Sequence, residues 1–179
     1  LDALESHGVR HWVAGGWGVA ALAGRQSRAH RDLDLAVDAD TLPACLEALA
    51  ALGYVAETDW LPVRVEYAAA GDLWVDVHPV HIGEHGQGRQ HDFDGGSFDY
   101  PPHGLVVGCL ENREIPCLSA DRQRVFHSGY EPRPQDLHDL GVLAALDGSS
   151  GGWCRADLRP STASVLGGRD LLGVCDHGG

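Results

Sequence analysis

Residues 32–37, DLDLAV, alternate acid with apolar side chain: Asp32 and Asp34 fall on one parity, and Leu33, Leu35 and Val37 on the other. A strand projects successive side chains to opposite faces, so residues two apart share a face. The run therefore demands a sheet with one face packed on a core and the other open enough to carry two carboxylates. Asp is a poor strand former, and like charges held close repel. A bound cation is the obvious compensation, because two carboxylates near a strand end can chelate one.

Around that strand the chain reads as alternating short elements. Residues 2–8 end a helix at Gly8, and Val9–Ala14 is a strand. Gly15–Gly16 breaks it, and Trp17–Ala23 carries helix formers as far as Gly24. RQSRAHR (25–31) is a basic polar loop leading into Asp32. Thr41 is positioned to cap an amphipathic helix that starts at Leu42–Pro43 and stops before Gly53. Pro62–Ala69 and Leu73–Val80 both alternate and are joined by a turn at Ala70–Asp72, the signature of a hairpin. Residues 81–104, rich in Gly, His and Asp, read as a long loop with one short strand. Leu105–Leu118 forms a second hairpin around Glu111–Arg113. Helices follow at Ser119–His127 and Gln135–Leu146, either side of a turn at Gly129–Pro134. From Gly148 the chain is Gly/Ser-rich without a period, and a disordered tail is expected. This order predicts a small α/β (α+β) domain.

With 179 residues, 44 % of them hydrophobic, the chain can build one domain with a core. Its charge of 13 − 26 = −13 disfavours nucleic acid as a partner and suits metal ions and cationic small molecules. No apolar run approaches the ~20 residues of a membrane span, and no signal pattern opens the chain. The five Cys are odd in number and widely spaced, without a CxxC pair. Reduced thiols and a cytoplasmic location are expected. The chain contains no Met, which reads as a trimmed or fragmentary start.

A third strand acid, Asp76, stands in LWVDVHPV on the parity of Trp74 and His78. If its strand lies beside Asp32–Val37, three carboxylates converge, the apparatus of a two-metal phosphoryl-transfer site. Gly15–Gly16 before a helix lets the backbone approach phosphates at a positive dipole end, although no Walker lysine follows. Arg25 and Arg28 add forks suited to phosphate oxygens. Taken singly, each feature has an ordinary structural account: surface acid, turn, or surface ion pair. Their order along the chain is what favours a site. His30, beside the acids, can contact phosphate or orient Asp32. His78 can touch substrate or metal. Glu66 on the neighbouring strand suits an ammonium group equally as well as Arg64 or His78. The other histidines lack the spacing of zinc motifs. His138–Asp139 and Asp136, at helical spacing, read as a solvated or packing face. Tyr130 and Glu131 lie on a loop able to flank an acceptor.

GGWGVAALAGRQSRAHRDLDLAV (15–37), WVDVHPV (74–80) and IPCLSADRQRVFHSGYEPRPQDLHDLGVLA (115–144) resemble the nucleotidyltransferase superfamily related to DNA polymerase β, more narrowly its aminoglycoside and lincosamide group. The resemblance covers roughly residues 5–146. It implies a small mixed sheet with flanking helices. Residues 1–118 would form the catalytic domain, 119–147 helices packed on it, and 148–179 the tail. It implies that Gly15 and Gly16 hold nucleotide phosphates and that Asp32 and Asp34 ligate Mg²⁺, with two ions expected. Asp76 would be the third ligand or the base. The implied reaction moves AMP from ATP to a hydroxyl of a small antibiotic-like acceptor and releases pyrophosphate. The net charge favours a cationic aminoglycoside over a lincosamide. Two alternatives stand beside it: a protein-nucleotidylating or antitoxin-type module, and a catalytically silent nucleotide-binding protein. Ala20 stands where some relatives carry an acid, and GGW replaces the superfamily's common GS pair.

Overall fold

In the computed structural model, which describes residues 1–128 and 130–148, Leu35 and Val37 are fully buried on one face of the strand Asp32–Asp38 (β2). Asp32 and Asp34 emerge on the other face. Upstream lie α1 (Asp2–Ser6), β1 (His11–Val13) and α2 (Gly15–Ala23). Downstream come α3 (Leu42–Ala51) and the strands β3 (Val55–Trp60), β4 (Arg64–Ala69) and β5 (Leu73–Ile82). These are followed by β6 (Gly88–His91), β7 (Ser97–Tyr100), β8 (Leu105–Leu110), β9 (Arg113–Leu118), α4 (Ala120–Phe126) and α5 (Pro134–Gly148).

The strands form a mixed sheet in the order β3-β4-β5-β2-β1-β9-β8, with β6 and β7 branching from the end of β5. β2 pairs parallel with β5, and β1 parallel with β9. On the helical side, Leu35, Val37, Val65, Val75 and Val77 pack with Leu4, Cys45, Ala48 and Leu49 of α1 and α3. The opposite face is not open along its whole length. Ala36 and Val80 are covered by Trp12, Tyr100, Leu105 and Leu118. Only the N-terminal half of β2 faces solvent on that side, and the two carboxylates stand there.

Four local readings change. Both glycines belong to the first turn of α2, which starts at Gly15 rather than Trp17. Thr41 does not cap α3. Its hydroxyl instead donates to Asp38 O at 3.1 Å and accepts from Arg10 N at 3.1 Å, tying the end of β2 to the start of β1. Residues 88–100 form a hairpin, not a loop with a single strand. β3 lies at the sheet edge, where its mostly exposed residues have no reason to alternate. Ser119 does cap α4, accepting from Arg122 N at 3.4 Å. The tail from residue 149 lies outside the described residues, as does Gly129 of the expected turn. Among the described residues no helix is long and apolar enough to cross a membrane.

Candidate active site

Parallel pairing of β2 with β5 sets Asp34 opposite Asp76, Asp32 opposite Trp74, and Ala36 opposite His78. Antiparallel pairing of β4 with β5 adds Glu66 opposite Asp76. One row across three strands thus carries Asp34, Asp76 and Glu66, and 41 residues of intervening chain are irrelevant to their meeting. Ligand atoms of Asp34, Asp76 and His78 all lie within 4.8 Å of one another. Asp32 lines the same cleft, one turn of the pleat away, and is not a member of that cluster.

The cluster is electrostatically uncomfortable. Burial pushes the Asp34 carboxyl up to about 7, and the charges of Asp32 and Asp76 push in the same direction. Burial also raises Asp76 to about 6, against the pull of the Arg64 guanidinium. Arg64 lies 3.0 Å from Glu66 and 3.9 Å from Asp76, so it neutralises part of the row. Burial lowers His78 to about 4, with Arg64 acting in the same sense, so the imidazole is neutral at physiological pH. Hard carboxylate oxygens crowded in this way fit a divalent cation, and Mg²⁺ best among the common ones.

The glycines are pressed against this chemistry. Gly15 has φ +54°, and a Cβ there would overlap the Asp34 carboxylate. A Cβ on Gly16 would overlap His30 Nδ1 and the Arg28 guanidinium. The first turn of α2 therefore brings bare backbone to the cleft, where N–H groups and the helix dipole favour an anion. The His30 ring packs against Trp17 at a tilt of 45°, with ring centroids 4.5 Å apart.

Other residues singled out in the sequence fall differently. Arg28 lines the cleft but is forked onto the buried Asp139 of α5, with Nε–Oδ1 at 2.8 Å and a second contact at 2.5 Å. Of the two accounts open for Asp136 and Asp139, the packing face holds and the solvated one does not: both are buried ion-pair anchors, and Asp136 takes Arg133 at 2.9 and 3.0 Å. Arg25 sits away from the carboxylates, in a groove of about 410 Å³ against Leu137 and His138 of α5. Trp74 donates its indole N–H to Asp72 and lies under Arg31, 5.1 Å from the ring centroid. Glu66 is held by Arg64.

The cleft encloses about 980 Å³, and much of its wall comes from segments that sequence reasoning did not single out. The β6–β7 hairpin supplies Gln90, Asp92, Phe93, Asp94, Phe98 and Tyr100. The α4–α5 region supplies Gln123, Phe126, His127, Tyr130, Arg133 and Asp136, of which the sequence links only Tyr130 to an acceptor. Gln123 is fully buried and is the one buried residue of α4, a burial that nothing in DRQRVF signals.

The family model described as aminoglycoside-2''-adenylyltransferase matches residues 1–143. A lincosamide resistance protein of Staphylococcus haemolyticus is 34 % identical over 146 residues, spanning 82 % of this chain and 91 % of that protein. Among solved structures, the lincomycin-bound lincosamide antibiotic adenylyltransferase LnuA matches with a TM-score of 0.74 at 33 % identity, over 81 % of this chain and 92 % of that one. ANT(2'')-Ia in complex with adenylyl-2''-tobramycin shares the fold, with a TM-score of 0.63 at 17 % identity over 80 % of this chain and 83 % of that one.

Proposed function

The chain belongs to the aminoglycoside-2''-adenylyltransferase family of antibiotic nucleotidyltransferases, and on that footing we propose that it transfers AMP from ATP to a hydroxyl of a lincosamide, with Mg²⁺ as the cation. One observation carries the reading: Asp34 and Asp76 face each other across β2 and β5 at the foot of a cleft whose floor is the glycine turn of α2.

Asp34 and Asp76 would hold the cation, with Asp32 beside them. Held there, it would supply neutralisation of the phosphate and leaving-group charge. Gly15 and Gly16 let the triphosphate approach the N-terminus of α2. The acceptor oxygen bonds to the α-phosphorus, the bond to the bridging oxygen breaks, and pyrophosphate departs with its electron pair. Asp76, opposite Asp34, would be either a further ligand of that cation or the base that takes the hydroxyl proton on a carboxylate oxygen. Positioning and charge neutralisation supply most of the catalysis in such transfers.

The acceptor would lie toward the β6–β7 hairpin, where Phe93 and Phe98 offer apolar surface and Asp92 and Asp94 offer negative charge. A lincosamide presents apolar groups, sugar hydroxyls and a basic nitrogen, which such a wall accommodates. Two relatives more than 30 % identical carry lincosamide in their names, and this outweighs the net charge that favours an aminoglycoside. The test is pyrophosphate release with ATP and Mg²⁺ across lincomycin and a panel of aminoglycosides, beside Asp34→Asn. Release dependent on lincomycin and abolished by the substitution is expected. Release only with aminoglycosides would overturn the acceptor. ATP binding without release for any drug would favour a protein target, and no ATP binding would leave a silent member of the fold.

A further inference from the structure

His78 stands two residues beyond Asp76 on β5, with Nε2 4.0 Å from Asp34 Oδ1. Its place in the carboxylate cluster makes it a candidate cation ligand. A ring nitrogen ligates only through a free lone pair, so the question is which nitrogen carries the proton. The hydrogen bond made by the other nitrogen answers it.

That bond comes from the β6–β7 hairpin. Gln90 Nε2 lies 3.3 Å from His78 Nδ1. The amide is oriented in turn by Tyr100, whose hydroxyl donates to Gln90 Oε1 at 2.5 Å. Gln90 and Tyr100 are 5 % and 2 % exposed. Turning the amide over would put an NH₂ against the Tyr100 hydroxyl and forfeit the acceptor it now has, an expensive exchange in a dry site. With Gln90 as donor, His78 Nδ1 must accept. A proton on Nδ1 would set two donors against each other. The proton therefore resides on Nε2, the nitrogen that faces Asp34.

We propose that the Tyr100–Gln90 pair holds His78 as the Nε2–H tautomer, so that His78 is a hydrogen-bond donor positioning Asp34 and not a ligand of the cation. The proposal rests on the reading of the cleft as a nucleotidyl-transfer site. At 4.0 Å the Nε2–Asp34 approach is longer than a hydrogen bond, so the donor role requires the two side chains to draw closer. Asp34 would then be confined on both sides, with Oδ1 facing His78 and Oδ2 in the space that a Cβ on Gly15 would fill. The hairpin that walls the cleft thereby also sets the geometry of a carboxylate at its floor.

The tautomer is read directly from long-range ¹⁵N–¹H correlation of the metal-free, ¹⁵N-labelled protein, with His78 assigned through His78→Gln. The expected pattern is Nε2–H, unchanged on addition of Mg²⁺. An Nδ1–H pattern, or loss of the Nε2 proton when Mg²⁺ is added, overturns the proposal. Gln90→Glu keeps the side-chain shape but offers only acceptors, and should place a proton on Nδ1; an Nδ1 that stays unprotonated would refute the role of Gln90. Tyr100→Phe should give a mixture of tautomers. In turnover, His78→Leu should lose about 10–100-fold in kcat with KM changed less than about threefold. His78→Gln, whose amide N–H reaches the place of Nε2, should restore most of that loss. A glutamine variant as impaired as the leucine variant would overturn the donor role. A parent protein inactive with every drug would overturn the functional reading and leave the tautomer assignment to its own spectrum.

Discussion

Replacing Asp34 with Asn should stabilise the metal-free protein while it abolishes transfer. The folded-state carboxyl titrates at about 7 against an ordinary value of 3.8, so the folded chain holds this proton more tightly than the unfolded chain does. A group raised in this way contributes stability that is full below about pH 4 and is lost as pH rises toward 7. A rise from 3.8 to about 7, at ~1.4 kcal/mol per tenfold change in proton affinity, sets a ceiling of ~4 kcal/mol. The side chain keeps 29 % of its surface open to the cleft and shares its field with Asp32 and Asp76, so about 2 kcal/mol is the working figure. Asn keeps the shape and never bears the charge. At pH 8 in EDTA, Asp34→Asn should therefore melt roughly 4–8 °C above the parent, given 2–4 °C per kcal/mol for a chain of this size. At pH 5 the gain should be less than half as large. Mg²⁺ should raise the melting temperature of the parent and close much of the gap, since it binds the folded state. Thermal unfolding followed by circular dichroism at both pH values checks all three. A variant less stable than the parent at pH 8, or a gain that does not grow between pH 5 and pH 8, would refute the claim that carboxylate crowding strains this site.

Gly15→Ala should remove nearly all turnover and destabilise the fold by about 1–2 kcal/mol, because it adds left-handed strain and an overlap with Asp34. Gly8→Ala, with φ +69° and nothing within 4 Å of the added carbon, should cost about 1 kcal/mol and leave turnover unchanged; denaturant unfolding and pyrophosphate release on both separate strain from function. Arg28→Ala strands the carboxylate of the buried Asp139 and should destabilise by about 3 kcal/mol, with Arg28→Lys a poor rescue because the bidentate fork is lost. Asp136 is held down to about 2 by its hydrogen bonds from Arg133, so it contributes stability above pH 4 that drains away as pH falls toward 2. Asp136→Asn should flatten that acid limb of the pH–stability curve, and an unaltered limb would show that the Arg133 pair contributes nothing.

The carboxylate half of the site was legible because the period of a strand carries it. Alternation in DLDLAV and WVDVHPV places Asp32, Asp34, Asp76 and His78 on the same parity without any knowledge of the sheet. Adjacency of the two strands did not follow from the pattern and was supplied by resemblance. The Ser119 cap was equally local. What was not legible depends on partners distant in sequence. Arg28 has the chemistry of a phosphate ligand, and its fork is occupied by Asp139, 111 residues away. Asp136 and Asp139 look solvated on a helical wheel because buried ion pairs and surface acids have the same spacing. The β6–β7 hairpin escaped detection since GRQHDFDGGSFDY mixes charge into both parities, one side facing the cleft and the other solvent.

In the proposed transfer, these two classes of residue meet different demands. Cation and phosphates must be held to within fractions of an ångström, and the backbone register of β2 on β5 supplies that accuracy; a slip of one residue would turn Asp34 into the core and Leu35 into the cleft. The acceptor needs only a wall of suitable shape and charge, which a hairpin appended to the end of β5 can provide without disturbing the row of acids. Changing the hairpin can therefore change the drug while the transfer chemistry stays in place. The separation is incomplete at one point, where Gln90 reaches from the wall to His78. Acceptor-altering substitutions should be tolerated at Phe93 and Phe98, whose side chains border the cleft, and poorly tolerated at Gln90, whose amide is tied to both Tyr100 and the floor of the site.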